Sequence, residues 1–348
     1  MALKGAPLIL LSPSKTLNFD SPLSSALVSA GVTENAYLPQ ASRLVGVLAK
    51  HSRAQIKQLM GLSDSLAELN HGRFVEFDAQ PARVALGAFE GAAYKGLDAP
   101  TLSADAIEYL QGSLRILCGL YGIVRPLDEI RPYRLEMSTR LVVDAATPNL
   151  YRFWGDSLTM SLAAELRDAP HKPSFVLNVA SQEYAKAVDL KPGGRLGAPI
   201  VTAVFPGPAV HAKTARGAMA RFCAQQRVCS PAQLKLFRGN AGEWSFVESA
   251  STDTSFVFHR SASGGAPAEP KAKAQPKPKA APKPKAEPKA KAAPKAAPKP
   301  KVVPKAKAAA EPATKKAPAR KSEAAEAEEG QQGGGQKRPR RAAAAHPK

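Results

Sequence analysis

Arg125, Arg131, Arg134 and Glu136 fall together in the stretch GLYGIVRPLDEIRPYRLEM at residues 119 to 137. A guanidinium is a planar, permanently charged fork that matches phosphate or carboxylate, so the chemistry read here is anion binding. Pro126 and Pro132 forbid a continuous helix, and a stiff backbone holds such forks better than a loose loop. The same residues also fit a structural corner in which the arginines pair with Asp128, Glu129 and Glu136. Two further polar sets follow short apolar runs. Ser12, Ser14 and Lys15 come directly after LILL, and Asn178, Ser181, Glu183 and Lys186 come after SFVLNV. Hydroxyls and an ammonium beyond a strand's carboxyl end suit an anion, and open sheets place ligands there. A hydroxyl-rich turn capping the next segment is the alternative at Ser12, and the spacing is not that of a Walker A loop. Lys213 and Arg216 project together, one turn apart on a helical pattern.

The elements that must position these groups are legible from periodicity. Leu8 to Leu11, Ser174 to Val179 and Pro199 to Phe205 read as buried strands, with Val84 to Phe89 and Leu141 to Val143 as further strands. Ser103 to Leu117 reads as an amphipathic helix delivering the arginine stretch, and Gly119 and Gly122 permit a tight reversal after it. Helices are expected from about Gln40 to Lys50, Ser157 to Arg167 and His211 to Val228, with Arg221 and Arg227 solvated. Strand patterns near Trp244 to Val247 and Ser255 to Phe258 suggest an antiparallel addition to the sheet. If the strands before Ser12 and before Ser181 lie side by side, both polar segments line one crevice.

Between these, SRAQIKQLMGLSDSLAELNHGRF partly matches a helix-hairpin-helix template. Gly61 occupies its first glycine position and Ser63 replaces the second. The first helix should end at Met60, and Ser63 should cap a helix starting at Asp64. An outward-facing hairpin of this kind can hold a phosphate, with Arg53, Lys57 and Arg73 adding charge. An ordinary αα-hairpin is the other reading, and Asp64 and Glu68 oppose an anion if they face it. The turn at Gly119 and Gly122 is a second candidate for a backbone phosphate contact. Glu68 and His71 form a lone Glu-x-x-His, and a di-iron bundle needs two such motifs.

Charge is distributed unevenly. The 348 residues carry a formal +20, of which residues 1 to 260 hold 27 lysines and arginines against 22 acids. Most of the excess, +15 of the +20, therefore lies in Lys/Ala/Pro repeats from residue 261 on, which are interrupted by acids at 323 to 329 and closed by KRPRR at 337 to 341. Frequent proline, few apolar groups and like charge predict a disordered tail, and such a tail binds polyanions with steep salt dependence. Two regions are expected, a globular domain at 1–260 and this tail at 261–348. Three cysteines without a CxxC pair argue for a reducing compartment, and Cys118 and Cys223, in apolar patterns read as helical, should be inert. With no membrane-length apolar run and no convincing signal peptide, the reading is cytoplasmic.

Five segments, taken in order, carry a resemblance: LILLSPSKTLNF at 8 to 19, the arginine stretch at 119 to 137, FWGD at 153 to 156, NVASQEYAKAV at 178 to 188, and KTARGAMARF at 213 to 222. Together they resemble the YaaA family of bacterial peroxide stress proteins, and the tail looks like an addition to that pattern. The resemblance implies a cytosolic DNA-binding protein that limits oxidative DNA damage and is linked to control of free intracellular iron. The expected architecture is mixed α/β, with a central mixed sheet surrounded by helices, a helix-hairpin-helix-like unit and one basic cleft. The expected partner is double-stranded DNA bound without sequence preference by a monomer, with no membrane, cofactor or metal. The alternative is an enzyme acting on a nucleotide or another phosphorylated small molecule, although no motif specifies a reaction.

Overall fold

The computed structural model describes residues 4–261, and the expectations for the tail lie outside the described residues. Seven strands form one sheet: β1 (Leu8–Leu11), β2 (Leu114–Cys118), β3 (Gly122–Val124), β4 (Val176–Asn178), β5 (Ile200–Val204), β6 (Trp244–Phe246) and β7 (Ser255–Arg260). Their order is β6-β7-β5-β4-β1-β2-β3. β7, β5, β4, β1 and β2 run parallel, while β3 and β6 close the two edges antiparallel. A parallel strand covered on both faces must be apolar throughout, and β1 and β2 are buried at every position. The mixed α/β architecture expected from the sequence is the one adopted.

The helices that matter for the site are α1 (Arg53–Met60), α2 (Asp64–Val75), α3 (Ala92–Leu97), α4 (Ala104–Ser113), α5 (Ser157–Asp168) and α6 (Ala209–Gln226). α1 and α2 have the predicted boundaries. Gly61 takes the left-handed conformation (φ 62°) that ends α1, and Ser63 Oγ accepts the Leu66 N–H at the start of α2. Among the described residues no helix is long and apolar enough to cross a membrane.

Four local expectations need correction. The helix predicted over Ser103–Leu117 stops at Ser113, and Leu114–Cys118 is the inner strand β2. Its leucines satisfy a helical spacing by chance, and a short buried run carries no periodicity that separates helix from strand. Arg115 sits inside that strand, with its Nε on Glu165 Oε2 of α5 (2.9 Å) and its Nη1 on Gln111 O (3.1 Å). The segment Val84–Phe89 is interrupted by a helical turn at Ala85–Ala88, and Leu141–Val143 is irregular. Finally, β6 pairs antiparallel with β7 as expected, but β7 itself joins β5 in parallel.

The buried cysteines lie where burial makes them unreactive. Cys118 Sγ is 2.9 Å from Tyr133 Oη beneath the β2–β3 turn, and burial pushes its thiol up to about 11. Cys223 is also buried and raised, whereas Cys229 is exposed. Iodoacetamide at pH 8 should therefore label Cys229 alone in the native protein and all three cysteines after denaturation, read by mass spectrometry. A raised folded-state pKa stabilises the fold below the unfolded value of about 8.5. The Cys118 contribution should accordingly fade as pH rises from there through about 11.

Candidate functional site

β1 and β4 are neighbours, with Leu8 opposite Val176 and Leu10 opposite Asn178. From its carboxyl end β1 leads toward β2 on one side, and β4 leads toward β5 on the other. The crevice between them is thus a topological switch point, the place where an open parallel sheet leaves room for a ligand. A cleft of about 290 Å³ opens there, lined by Ser12, Ser14 and Lys15 after β1 and by Ser181 and Glu183 after β4. Its floor is hydrogen-bonded across the two loops. Ser12 Oγ accepts the Ser181 N–H (2.9 Å) and donates to Ser181 Oγ (3.3 Å), and Tyr94 Oη donates to Ser12 O (3.1 Å). Asn178 works one layer below, where its Oδ1 accepts the Ala180 N–H (3.0 Å) and shapes the turn.

The far wall is built by two glycines. A Cβ on Gly217 of α6 would lie 1.6 Å from Ala93 O of α3, and one on Gly96 of α3 would lie 2.0 Å from Thr214 O of α6. The two helices therefore cross backbone to backbone, which is possible only where neither carries a side chain. This crossing brings Lys213 and Arg216 over the cleft, beside Ala92 and Ala93. A third glycine, Gly91, has a φ of 117°, and a Cβ there would meet Ser14 Oγ at 2.7 Å.

The electrostatics of the cleft are unbalanced. Lys15 Nζ lies 2.9 Å from Glu136 Oε1, and Arg134 Nη2 lies 3.3 Å from the same oxygen, so one carboxylate faces two cations. Lys213 and Arg216 have no carboxylate partner among the described residues. Arg216 is half-buried and its Nε has no hydrogen-bond acceptor, as is also true of Arg134 Nε. Burial pushes the Arg216 guanidinium below its ordinary pKa, and an arginine nevertheless stays charged at any physiological pH. Glu183 is oriented by Ser138, whose N–H (3.0 Å) and hydroxyl (2.7 Å) both donate to its Oε1.

The other predicted residues are elsewhere or otherwise engaged. Arg125 donates from its backbone N–H and Nε to the buried Asp128 and from Nη2 to Glu34 O, the structural-corner alternative at that position. Arg131 is turned onto Gln80 O, and its N–H donates to Tyr121 Oη. Gly119 and Gly122 are buried, with room at Gly119 closed by Leu135 O and at Gly122 by Trp154. Their turn joins the inner strand β2 to the edge strand β3 and is closed over by protein, rather than capping an exposed helix as the phosphate-contact reading requires. On α1 and α2, Arg53 pairs with Glu68 (2.7 Å) and Lys57 with Asp64 (2.7 Å). Arg73 is half-buried and donates to Asn70 Oδ1 (3.3 Å). Lys186 lines a separate depression with Asp156, Asp189 and Arg195. Arg221, read as solvated, is tucked against Leu97 O and Asp98 O.

Sequence reasoning missed Gly91, Tyr94, Gly96 and Gly217. A glycine inside a helical pattern marks a close backbone approach, and that signal is present in AAYKGL and in TARGAMA.

With this geometry in view, comparison with known proteins is specific. The pattern that defines the family described as "Peroxide stress protein YaaA" matches residues 8–250. A "UPF0246 protein" of Paracidovorax citrulli is 41% identical over 269 residues, which is 74% of this chain and all of that protein. One from Hahella chejuensis is 43% identical over 245 residues, covering 66% of this chain and 91% of the relative. "UPF0246 protein RSc2009" of Ralstonia nicotianae is 42% identical over 268 residues, again the whole relative and 74% of this chain. Every segment that lines the cleft falls inside the family match.

Proposed function

The chain belongs to the YaaA family of peroxide stress proteins, and on that premise we propose that it binds duplex DNA in the cytoplasm through phosphate contacts at the β1–β4 crevice, limiting oxidative damage to the DNA it covers. One observation carries this reading. Arg216 is a half-buried cation with an unpartnered Nε and no counter-charge among the described residues, placed with Lys213 and Lys15 at a switch-point cleft. Keeping a partly buried charge unpaired is unfavourable to the fold, and an incoming anion relieves that cost. The exposed α1–α2 turn is an accessory contact at most, because Arg53 and Lys57 are already neutralised by Glu68 and Asp64. A link to free intracellular iron is part of the same proposal and is read as indirect, since the six histidines and three cysteines are scattered along the sequence.

The test is fluorescence anisotropy of the full chain on a labelled duplex across a salt series. Binding should weaken linearly in log–log form, with a slope set by the number of phosphates neutralised. Absence of duplex binding at low salt would overturn the reading. A second reading, a nucleotide or other phosphorylated small molecule as substrate, is favoured by the cleft volume of about 290 Å³, by Glu183 in its lining and by Glu136 paired with its Lys15. Stabilisation of the fold by a nucleotide panel, lost in Arg216→Gln, would favour it over DNA.

A further inference from the structure

Three cations line the crevice, Lys15, Lys213 and Arg216, against the single acid Glu183, which leaves a net of two positive charges. Counting Lys15 together with Glu136 and Arg134, the trio it belongs to, gives the same net charge. Hydrogen-bond donors are also in excess. Ser14 Oγ accepts the Thr16 N–H (3.2 Å) and Ser181 Oγ accepts the Ser12 hydroxyl (3.3 Å), and neither hydroxyl donates to another described residue. Arg216 Nε has no acceptor either. Glu183 supplies the opposite function. Its Oε1 is taken by the Ser138 N–H and hydroxyl, while its Oε2 accepts nothing and the carboxylate forms no ion pair among the described residues. The crevice thus offers free donors with two units of positive charge, and beside them one free acceptor.

Resting on the crevice as the phosphate site, we propose that its ligand is a terminal phosphate, a monoester carried on a sugar, and not the phosphodiester of a continuous strand. An internal phosphate of DNA carries one negative charge and is tied to the chain by two ester bonds. A terminal phosphate carries about −1.5 to −2 at pH 7 and presents three strong acceptor oxygens, which match the net charge and the free donors of the crevice. Size points the same way. A cleft of about 290 Å³ is at the lower end of small-ligand sites, about 300–1,000 Å³, so a duplex stays outside it. Only a group standing clear of the duplex reaches the floor. The 5′-phosphate at a strand end and the phosphate of a free nucleotide are that same group. Glu183 repels a bare anion, but its Oε2 is placed to accept a sugar hydroxyl or a base N–H next to the phosphate.

The experiment uses the full chain and two series of probes. The first is thymidine 5′-monophosphate, its methyl diester and thymidine, titrated by calorimetry. The second is one duplex in three forms, closed by a loop at each end, open with 5′-hydroxyls and open with 5′-phosphates, each competing against a labelled duplex. Backbone contacts outside the crevice are common to all three forms. The monophosphate should bind at least about tenfold more tightly than its methyl diester, the scale of one hydrogen bond to a charged group. Arg216→Gln with Lys213→Gln should erase that preference. A matching preference for the 5′-phosphorylated duplex assigns the site to strand ends. If the nucleotides show the preference and the three duplexes bind alike, the site belongs to free nucleotides. No preference for the monoester in either series, or one that survives the double substitution, overturns the proposal, and binding of all three duplexes then leaves the DNA reading standing. If no duplex binds, the DNA reading fails and the nucleotide series still decides the terminal-phosphate proposal.

Discussion

Gly217→Ala should destabilise the protein and disable the crevice together, although alanine is the better helix former. In an open helical position the same exchange stabilises by up to about 1 kcal/mol. Gly72 of α2 is such a position, with nothing within 4 Å of the place a methyl would take, so Gly72→Ala should raise the melting temperature slightly. At Gly217 the methyl would fall 1.6 Å from Ala93 O, and the obstacle is backbone, which has no rotamer to retreat into. α6 must move away from α3, at a cost at or above the usual overpacking range of about 1–3 kcal/mol. Displacing α6 also withdraws Lys213 and Arg216 from Ser12 and Ser181. Chemical denaturation would read the first effect and duplex anisotropy the second. A stabilised Gly217→Ala protein with intact binding would mean that the helix crossing does not build the site.

Arg216→Gln should show stability and binding moving in opposite directions. The native guanidinium is half-buried and offers an Nε that nothing accepts, so removing its charge should leave the melting temperature unchanged or raise it. Binding should fall by at least about tenfold, the scale of one charge-assisted phosphate contact in a partly desolvated site. Adding Lys213→Gln should deepen the loss and lower the salt slope by about one per phosphate contact removed. Arg216→Lys is the informative conservative change, since a point charge keeps the attraction but not the planar fork. It should recover part of the affinity. By contrast, Arg125→Gln should act mainly on stability, because Arg125 neutralises the buried Asp128.

Local signals proved the most readable. Ser52, Gly61 and Ser63 set the ends of α1 and α2 through capping chemistry that needs no tertiary information. The repeated pattern of an apolar run followed by hydroxyls suggested that Ser12 and Ser181 share a crevice, and the β1–β4 pairing places them within hydrogen-bonding distance. Less legible was anything decided by burial. Leu114 to Cys118 has a spacing that suits a helix, yet its place between β1 and β3 makes it a strand. The arginines of residues 119 to 137 looked equivalent in the sequence. Only the fold distinguishes Arg134, beside Glu136 and Lys15, from Arg125 and Arg131, which face Asp128 and Gln80. The contact between Gly96 and Gly217 joins residues far apart in the chain, and no local pattern states which glycine meets which helix.

The most direct test of the crevice as the phosphate site is the Nε–H resonance of Arg216, assigned by its loss in Arg216→Gln and followed by nitrogen-15 NMR during titration with duplex DNA. Phosphate binding in the crevice predicts that this resonance shifts and its hydrogen exchange slows as the duplex saturates, because an acceptor arrives at an Nε that has none. An Arg216 signal that stays in place while the duplex binds elsewhere would contradict it.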